Sequence, residues 1–61
     1  MLSKDDELKI MRYLEKNYML EFYEIYKGAG YIELIPVDED GKRIYFWVNS
    51  VGTIDYGDYP F

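Results

Sequence analysis

The sequence predicts an α+β fold, in which one N-terminal amphipathic helix packs on a three- or four-stranded antiparallel β-meander. Two observations support this fold class. Apolar residues recur at helical spacing near the start of the chain, and segments rich in strand-forming residues follow, separated by short turns that contain glycine. With 61 residues, the chain is expected to form a single domain, residues 1–61.

The helix is predicted to begin near Ser3. Ser3 and Asp6 have the spacing of a capping box, and acidic residues fill the first turn, where the helix dipole favours negative charge. Over residues 4–18, Ile10 and Leu14 lie within one apolar side, and basic residues lie on the opposite side. One side of the helix is therefore expected to face the core and the other to face water.

Two interpretations are open for the end of the helix. Helical spacing of apolar residues continues to Lys27, whereas Asn17 can end a helix in the left-handed conformation. We favour the end near Asn17, because residues 20–27 are rich in residues that prefer strands. This segment and residues 31–37 then form a hairpin around residues 28–30, whose glycines permit positive φ.

The rest of the chain is predicted to complete the meander. Residues 38–41 have the composition of a turn that contains a left-handed residue, and residues 42–48 return as a third strand. Residues 49–52 form another polar break before a short fourth strand at 53–56. Residues 57–61 are expected to form a tail.

Both faces of the predicted sheet are largely apolar. Because alternate residues of a strand point to opposite faces, one face carries Ile32, Leu34, Ile44, Phe46 and Val48, which suit a core under the helix. The opposite face, called the outer face below, carries Tyr31, Glu33, Ile35, Val37, Arg43, Tyr45 and Trp47. A single helix covers only one face, whereas a half-solvated sheet normally alternates apolar with polar residues.

Three interpretations of the outer face are open. Tyrosines tolerate water, because their hydroxyl groups remain hydrated while their rings cover the backbone. Alternatively, the C-terminal residues Tyr56, Tyr59 and Phe61 fold back across the sheet. We favour the third interpretation, in which the face docks on another protein, either a second copy or a different molecule. Its central apolar contacts would be Tyr31, Ile35, Tyr45 and Trp47, with Glu33 and Arg43 as polar members.

Charge is distributed unevenly along the chain. Twelve acidic and seven basic residues give a net charge of −5, and residues 21–61 contain all of this excess. Two interpretations are open: the acids keep an apolar sheet soluble, which we favour, or they attract a basic partner surface. The exposed acids of that surface would be Glu21, Glu24, Asp38, Glu39, Asp40, Asp55 and Asp58.

Composition argues against most catalytic chemistry. The chain has no histidine and no cysteine, so it lacks the residues of the familiar nucleophilic triads and of structural zinc sites. An EF-hand loop with Gly41 at its sixth position would place Pro36 and Trp47 at the first and twelfth positions, where acidic ligands are required. We therefore expect no enzyme activity, no metal and no cofactor.

The charge of the sheet half and the length of the apolar runs limit which partner and which cellular location we expect. The acidic sheet half would repel phosphate groups, so direct binding of nucleic acid is not expected. The longest unbroken apolar run, residues 44–48, is too short to span a membrane, and acids near the N-terminus argue against a signal peptide. We expect a cytoplasmic protein without a membrane contact.

The sequence thus predicts a non-enzymatic interaction module that associates with protein through the outer face, with a homodimer as one expected form. The alternative is a small acidic inhibitor that mimics nucleic acid and occupies the basic groove of an enzyme or regulator. In size and charge, though in no motif, the chain resembles the small acidic inhibitors that phages use against host defence enzymes.

Overall fold

One helix and a four-stranded antiparallel sheet make up the fold. The computed structural model describes residues 2–60. In chain order the elements are helix α1 (Lys4–Asn17), a short 3-10 helix (Leu20–Phe22), and strands β1 (Tyr23–Gly28), β2 (Tyr31–Pro36), β3 (Ile44–Val48) and β4 (Ile54–Gly57). Neighbouring strands pair in the order β1-β2-β3-β4, each antiparallel to the next. The predicted α+β fold is confirmed, with four strands.

Helix α1 begins and ends through side-chain hydrogen bonds. At its start the Ser3 hydroxyl accepts a hydrogen bond from the Asp6 backbone N–H at 3.1 Å, as an N-cap residue does. At its end the Asn17 side-chain amide donates to the Tyr13 carbonyl oxygen at 2.8 Å. The predicted left-handed ending at Asn17 is wrong, because no non-glycine residue among residues 2–60 has positive φ. Tyr18 instead leaves the helix as extended chain.

The first strand begins later than predicted. The Phe22 backbone N–H donates to the Met19 carbonyl oxygen at 3.0 Å, which closes a helical turn where a strand was expected from residue 20. The Phe22 carbonyl oxygen nevertheless accepts from the Val37 N–H at 2.9 Å, so hairpin hydrogen bonding continues past the ends of β1 and β2. The alternative helix extending to Lys27 is not observed.

The glycines of the two predicted turns follow the expectation only in part. In the β1–β2 turn Gly30 has φ 85°, whereas Gly28 does not have positive φ. Gly41, in the loop after β2, does not have the predicted left-handed conformation either. A Cβ atom at Gly41 would lie 2.6 Å from the Cβ atom of Pro36, so this glycine permits a close approach of the chain to the proline.

Strands β3 and β4 differ from their predicted ranges by one or two residues at three of their four ends. Strand β3 begins at Ile44, which leaves Arg43 in the preceding loop, and β4 covers Ile54–Gly57. In the turn between these strands, the Asn49 side chain accepts from the backbone N–H groups of Val51 and Thr53 at 3.1 and 3.0 Å. These hydrogen bonds explain why residues 49–52 interrupt the sheet.

The core lies between α1 and one face of the sheet. Five side chains have no exposed surface: Ile10 and Leu14 from α1, Ile32 and Leu34 from β2, and Phe46 from β3. The predicted face with Ile32, Leu34 and Phe46 is therefore confirmed as the face under the helix. Because these side chains are fully removed from water, they supply the largest apolar contribution to stability per residue.

Two polar contacts attach the exposed side of α1 to the sheet half. The Lys9 ammonium donates to the Gly52 carbonyl oxygen at 2.6 Å, and Lys27 on β1 forms an ion pair with Glu7 at 2.5 Å. Both contacts are solvent-accessible, so each contributes at most about 1 kcal/mol. They orient the helix, whereas the apolar core stabilises it.

We predict that Leu14→Ala lowers the free energy of unfolding by about 2 to 5 kcal/mol, because it leaves a cavity in a core of few side chains. Leu8→Ala is the matched control on the same helix, since the Leu8 side chain is half exposed. Its effect should stay below about 1 kcal/mol. Urea denaturation followed by circular dichroism measures both. Equal losses for the two variants would contradict the position of the core.

Candidate functional site

The outer face is organised by the register of the strands. Tyr26 on β1 lies opposite Glu33 on β2, Glu33 lies opposite Tyr45 on β3, and Tyr45 lies opposite Gly57 on β4. Directly opposed residues of an antiparallel sheet project to the same side. One row of residues therefore crosses all four strands on the face away from α1.

The hairpin between β1 and β2 provides space for a large ring on this face. Tyr31 lies opposite Gly28, and a Cβ atom at Gly28 would be 2.2 Å from the Cζ atom of the Tyr31 ring. The ring thus occupies the space that a side chain at Gly28 would need. Towards the β4 edge of the same face, Trp47 on β3 lies opposite Asp55 on β4.

Four tyrosines form a continuous set of ring contacts on the outer face. Their centroids are separated by 6.4 Å for Tyr26 and Tyr31, 5.5 Å for Tyr31 and Tyr45, and 5.2 Å for Tyr45 and Tyr59. These distances are in the range of favourable aromatic pairs. We call Tyr26, Tyr31, Tyr45 and Tyr59 the tyrosine cluster. Tyr26 and Tyr59 are 53% and 57% exposed, and the other two rings are half-buried.

The C-terminal tail covers part of the outer face. Tyr59 folds back over the sheet and contacts Tyr31 at 6.3 Å in addition to Tyr45, as one of the three interpretations expected. Tyr56 behaves differently, because it lies opposite Phe46 on the helix side with ring centroids 5.9 Å apart. Phe61, the third aromatic residue of that interpretation, lies outside the described residues. The cover within residues 2–60 is therefore partial.

A carboxylate is buried within the outer face. The Glu33 side chain is 7% exposed, and its Oε2 atom accepts a hydrogen bond from the Arg43 Nη1 group at 3.2 Å. The Arg43 side chain is 62% exposed and reaches Glu33 from the loop before β3. A buried carboxylate without a partner would be costly, so Arg43 stabilises the charge of Glu33.

The environment of Tyr31 raises the pKa of its phenol. Partial loss of water raises the pKa of Tyr31 above its ordinary value, and the nearby groups of Tyr26, Glu33, Tyr59 and Tyr45 raise it further. A tyrosine phenol with its ordinary pKa is already protonated at physiological pH, so the raised pKa does not change its ionisation there, and the hydroxyl can donate a hydrogen bond.

The structure brings together the six side chains predicted to bind a partner. Five of them project from the outer face: Tyr31, Glu33, Ile35, Tyr45 and Trp47. The sixth, Arg43, reaches this face through its hydrogen bond to the Glu33 carboxylate. Val37 lies beyond the end of β2 and is exposed. Sequence reasoning did not place Tyr26 and Tyr59 in this set. To place Tyr26 on this face, the register of β1 against β2 must be known. To place Tyr59 there, the path of the tail must be known. Strand alternation alone gives neither.

The seven acidic residues predicted to form a charged surface are all exposed, but they do not form one cluster. Glu24 and Asp55 lie on strands of the outer face. Asp38, Glu39 and Asp40 lie in the loop after β2. Glu21 lies in the 3-10 helix and Asp58 in the tail. No ion pair within residues 2–60 involves any of these seven carboxylates. Their charge is thus available to an external cation.

A shallow groove lies between α1 and β1, away from the outer face. Its lining contains Lys4, Glu7, Leu8, Met11 and Lys27. The single carboxylate in this lining forms an ion pair with Lys27. Acid and base catalysis by carboxylates requires two such groups with separate roles, and this groove contains one.

The described part of the chain contains neither a metal-binding cluster nor a helix that could span a membrane. No group of three or more aspartate, glutamate, histidine or cysteine residues in this part is placed to hold a metal ion. No helix within residues 2–60 has the length and apolar character needed to cross a membrane.

Comparison with known proteins finds no matching family model, no matching curated protein and no matching solved structure.

We predict that Arg43→Met lowers the free energy of unfolding by about 1 to 2 kcal/mol, because Glu33 then remains buried without a cationic partner. The double substitution Glu33→Met and Arg43→Met should recover most of this loss, since it removes the buried charge as well. Lys42→Met, at the adjacent exposed position, is the control and should change stability by less than about 0.5 kcal/mol. Denaturant unfolding measures all three; no recovery in the double variant would contradict the pairing.

Proposed function

We propose that this chain is a non-enzymatic interaction module that binds a different protein through its outer face. The observation that supports this most is the tyrosine cluster, a continuous and partly exposed set of rings on the face away from α1. Half-buried Trp47 extends the same surface. Tyrosine and tryptophan are enriched among the residues that dominate binding energy at protein interfaces.

Charge favours a heterologous partner over a second copy. Glu24 and Asp55 are exposed on the outer face, whereas the Glu33 carboxylate is paired with Arg43. Each copy of the chain carries a net charge of −5, so association of two copies is opposed by repulsion between them. A partner with a basic surface would complement Glu24 and Asp55. We propose a cytoplasmic location for this module as well, as the sequence predicts.

Photo-crosslinking tests which face meets the partner. Two variants carry a benzophenone amino acid, one in place of Tyr26 on the outer face and one in place of Tyr56 on the helix side. The two tyrosines are 53% and 61% exposed, so they are matched in accessibility. In extract from the source cell we expect a crosslinked protein from position 26 and none from position 56.

Trp47→Ala in the position-26 variant should reduce that product, because a central aromatic residue typically contributes about 2 kcal/mol or more to association. Titration of the identified protein with the chain should show the same loss of affinity. Equal products from positions 26 and 56 would contradict the proposal. A product made of two copies of the chain would contradict the heterologous partner and favour the homodimer.

The acidic inhibitor that mimics nucleic acid is the second candidate. The observation that favours it is the loop after β2, where Asp38, Glu39 and Asp40 are consecutive, exposed and outside any ion pair within residues 2–60. Consecutive carboxylates produce a local negative field, which attracts a basic groove.

Neutralising the loop distinguishes the two candidates. We predict that Asp38→Asn, Glu39→Gln and Asp40→Asn together change affinity for the crosslinked partner by less than about threefold, because the outer face remains intact. Asparagine at position 38 keeps the oxygen that accepts from the Asp40 N–H at 3.1 Å. Loss of binding in this variant, with a steep dependence on salt, would favour the inhibitor. Isothermal titration at low and high salt measures both.

A further inference from the structure

We infer that the partner surface presents arginine side chains, which stack on the tyrosine cluster and pair with Glu24 and Asp55. This inference rests on the proposed function, since it assigns the chemistry of the partner at the same face. Three observations on the outer face support it: exposed rings, exposed carboxylates on both sides of those rings, and a guanidinium that this face already binds.

The exposed rings suit a planar cation. Tyr26 and Tyr59 each present more than half of their surface to solvent, and the half-buried rings of Tyr31 and Tyr45 connect them. The face of a tyrosine ring attracts a cation that lies within about 6 Å of its centre. Arginine stacks on such rings more readily than lysine, because its guanidinium is planar and more weakly hydrated.

The carboxylates lie on both sides of the rings. Glu24 is on β1 opposite Ile35, and Asp55 is on β4 opposite Trp47. Both acids are exposed, and neither takes part in an ion pair within residues 2–60. Asp55 Oδ2 accepts a hydrogen bond from the neutral Asn49 side-chain amide at 3.1 Å, which leaves the negative charge of the carboxylate unpaired by a cation in this part of the chain. A carboxylate next to an aromatic surface can accept two parallel N–H groups from one guanidinium. A partner with several arginines could therefore engage both acids across the cluster.

The chain's own Arg43 shows that the face accommodates a guanidinium. Its Nη1 group donates to Glu33 at 3.2 Å, and Glu33 lies directly opposite both Tyr26 and Tyr45. Most of the Arg43 side chain remains exposed, so the internal contact occupies only part of the surface. An external arginine would instead meet the exposed rings of the cluster and the carboxylates of Glu24 and Asp55.

Binding of two labelled peptides tests the inference. An oligo-arginine and an oligo-lysine peptide of equal length carry equal charge, so a difference between them reports stacking and bidentate pairing. We expect the arginine peptide to bind about fivefold more tightly, measured by fluorescence anisotropy at constant salt. The fluorescence of Trp47 provides a second readout, because this residue lies on the outer face.

Two matched pairs of variants locate the binding. Tyr59→Leu should weaken the arginine peptide about threefold or more, whereas Tyr56→Leu, at a similarly exposed tyrosine on the helix side, should leave it unchanged. Glu24→Gln with Asp55→Asn should weaken it about fivefold. Glu39→Gln with Asp40→Asn removes the same number of charges from the loop and should have less than a twofold effect. Circular dichroism confirms that each variant is folded.

Several results would overturn the inference. Equal affinity for the arginine and lysine peptides would show attraction by net charge alone. Equal losses from the two charge-neutralised variants would place the binding outside the outer face, as would equal losses from the two tyrosine variants. Absence of peptide binding would also reject arginine as the ligand. None of these results changes the outcome of crosslinking at positions 26 and 56, so failure of this inference is distinguishable from failure of the proposed function.

Discussion

A single helix has to cover a sheet that carries apolar residues on both faces. Ile10 and Leu14 of α1 pack with Ile32, Leu34 and Phe46 in a core that leaves none of these five side chains exposed, and partly buried apolar residues pack around it. Small domains bury a low fraction of their surface, so few other side chains can supply cover. The residues of the outer face must therefore be stabilised in other ways, and this requirement determines their chemistry.

The outer face meets this requirement with rings that carry hydroxyl groups and with one internal ion pair. The Tyr31 ring lies over Gly28, and Tyr59 of the tail lies against Tyr31 and Tyr45. Glu33, at the centre of the face, is neutralised by Arg43. Tyrosines can contact each other through their rings while their hydroxyl groups remain hydrated. Of the three interpretations of this face, the folded-back tail is observed in part, through the contacts of Tyr59. Docking on another protein stays a proposal.

Local signals predicted much of the fold, and tertiary contacts determined the rest. The Ser3 cap and the burial of Ile32, Leu34 and Phe46 depend on neighbouring residues and on strand alternation, which are readable from sequence. The prediction for Gly41 is wrong, because this glycine permits a close approach to Pro36 and does not have positive φ, and the close approach is a contact that turn composition does not reveal. The place of Tyr59 depends on the path of the chain after β4. Strand alternation predicted that five of the six side chains project from the outer face, and Arg43 reaches that face through its hydrogen bond to Glu33.

The position of the tail has a practical consequence for handling the protein. Pairing between β3 and β4 ends at Gly57, and Tyr59 lies on the outer face two residues later. An affinity tag or fluorophore joined to the C-terminus would start within a few residues of the tyrosine cluster. The N-terminus leads into α1, on the opposite side of the sheet. Surface immobilisation through an N-terminal handle therefore leaves the aromatic side of the molecule pointing into solution.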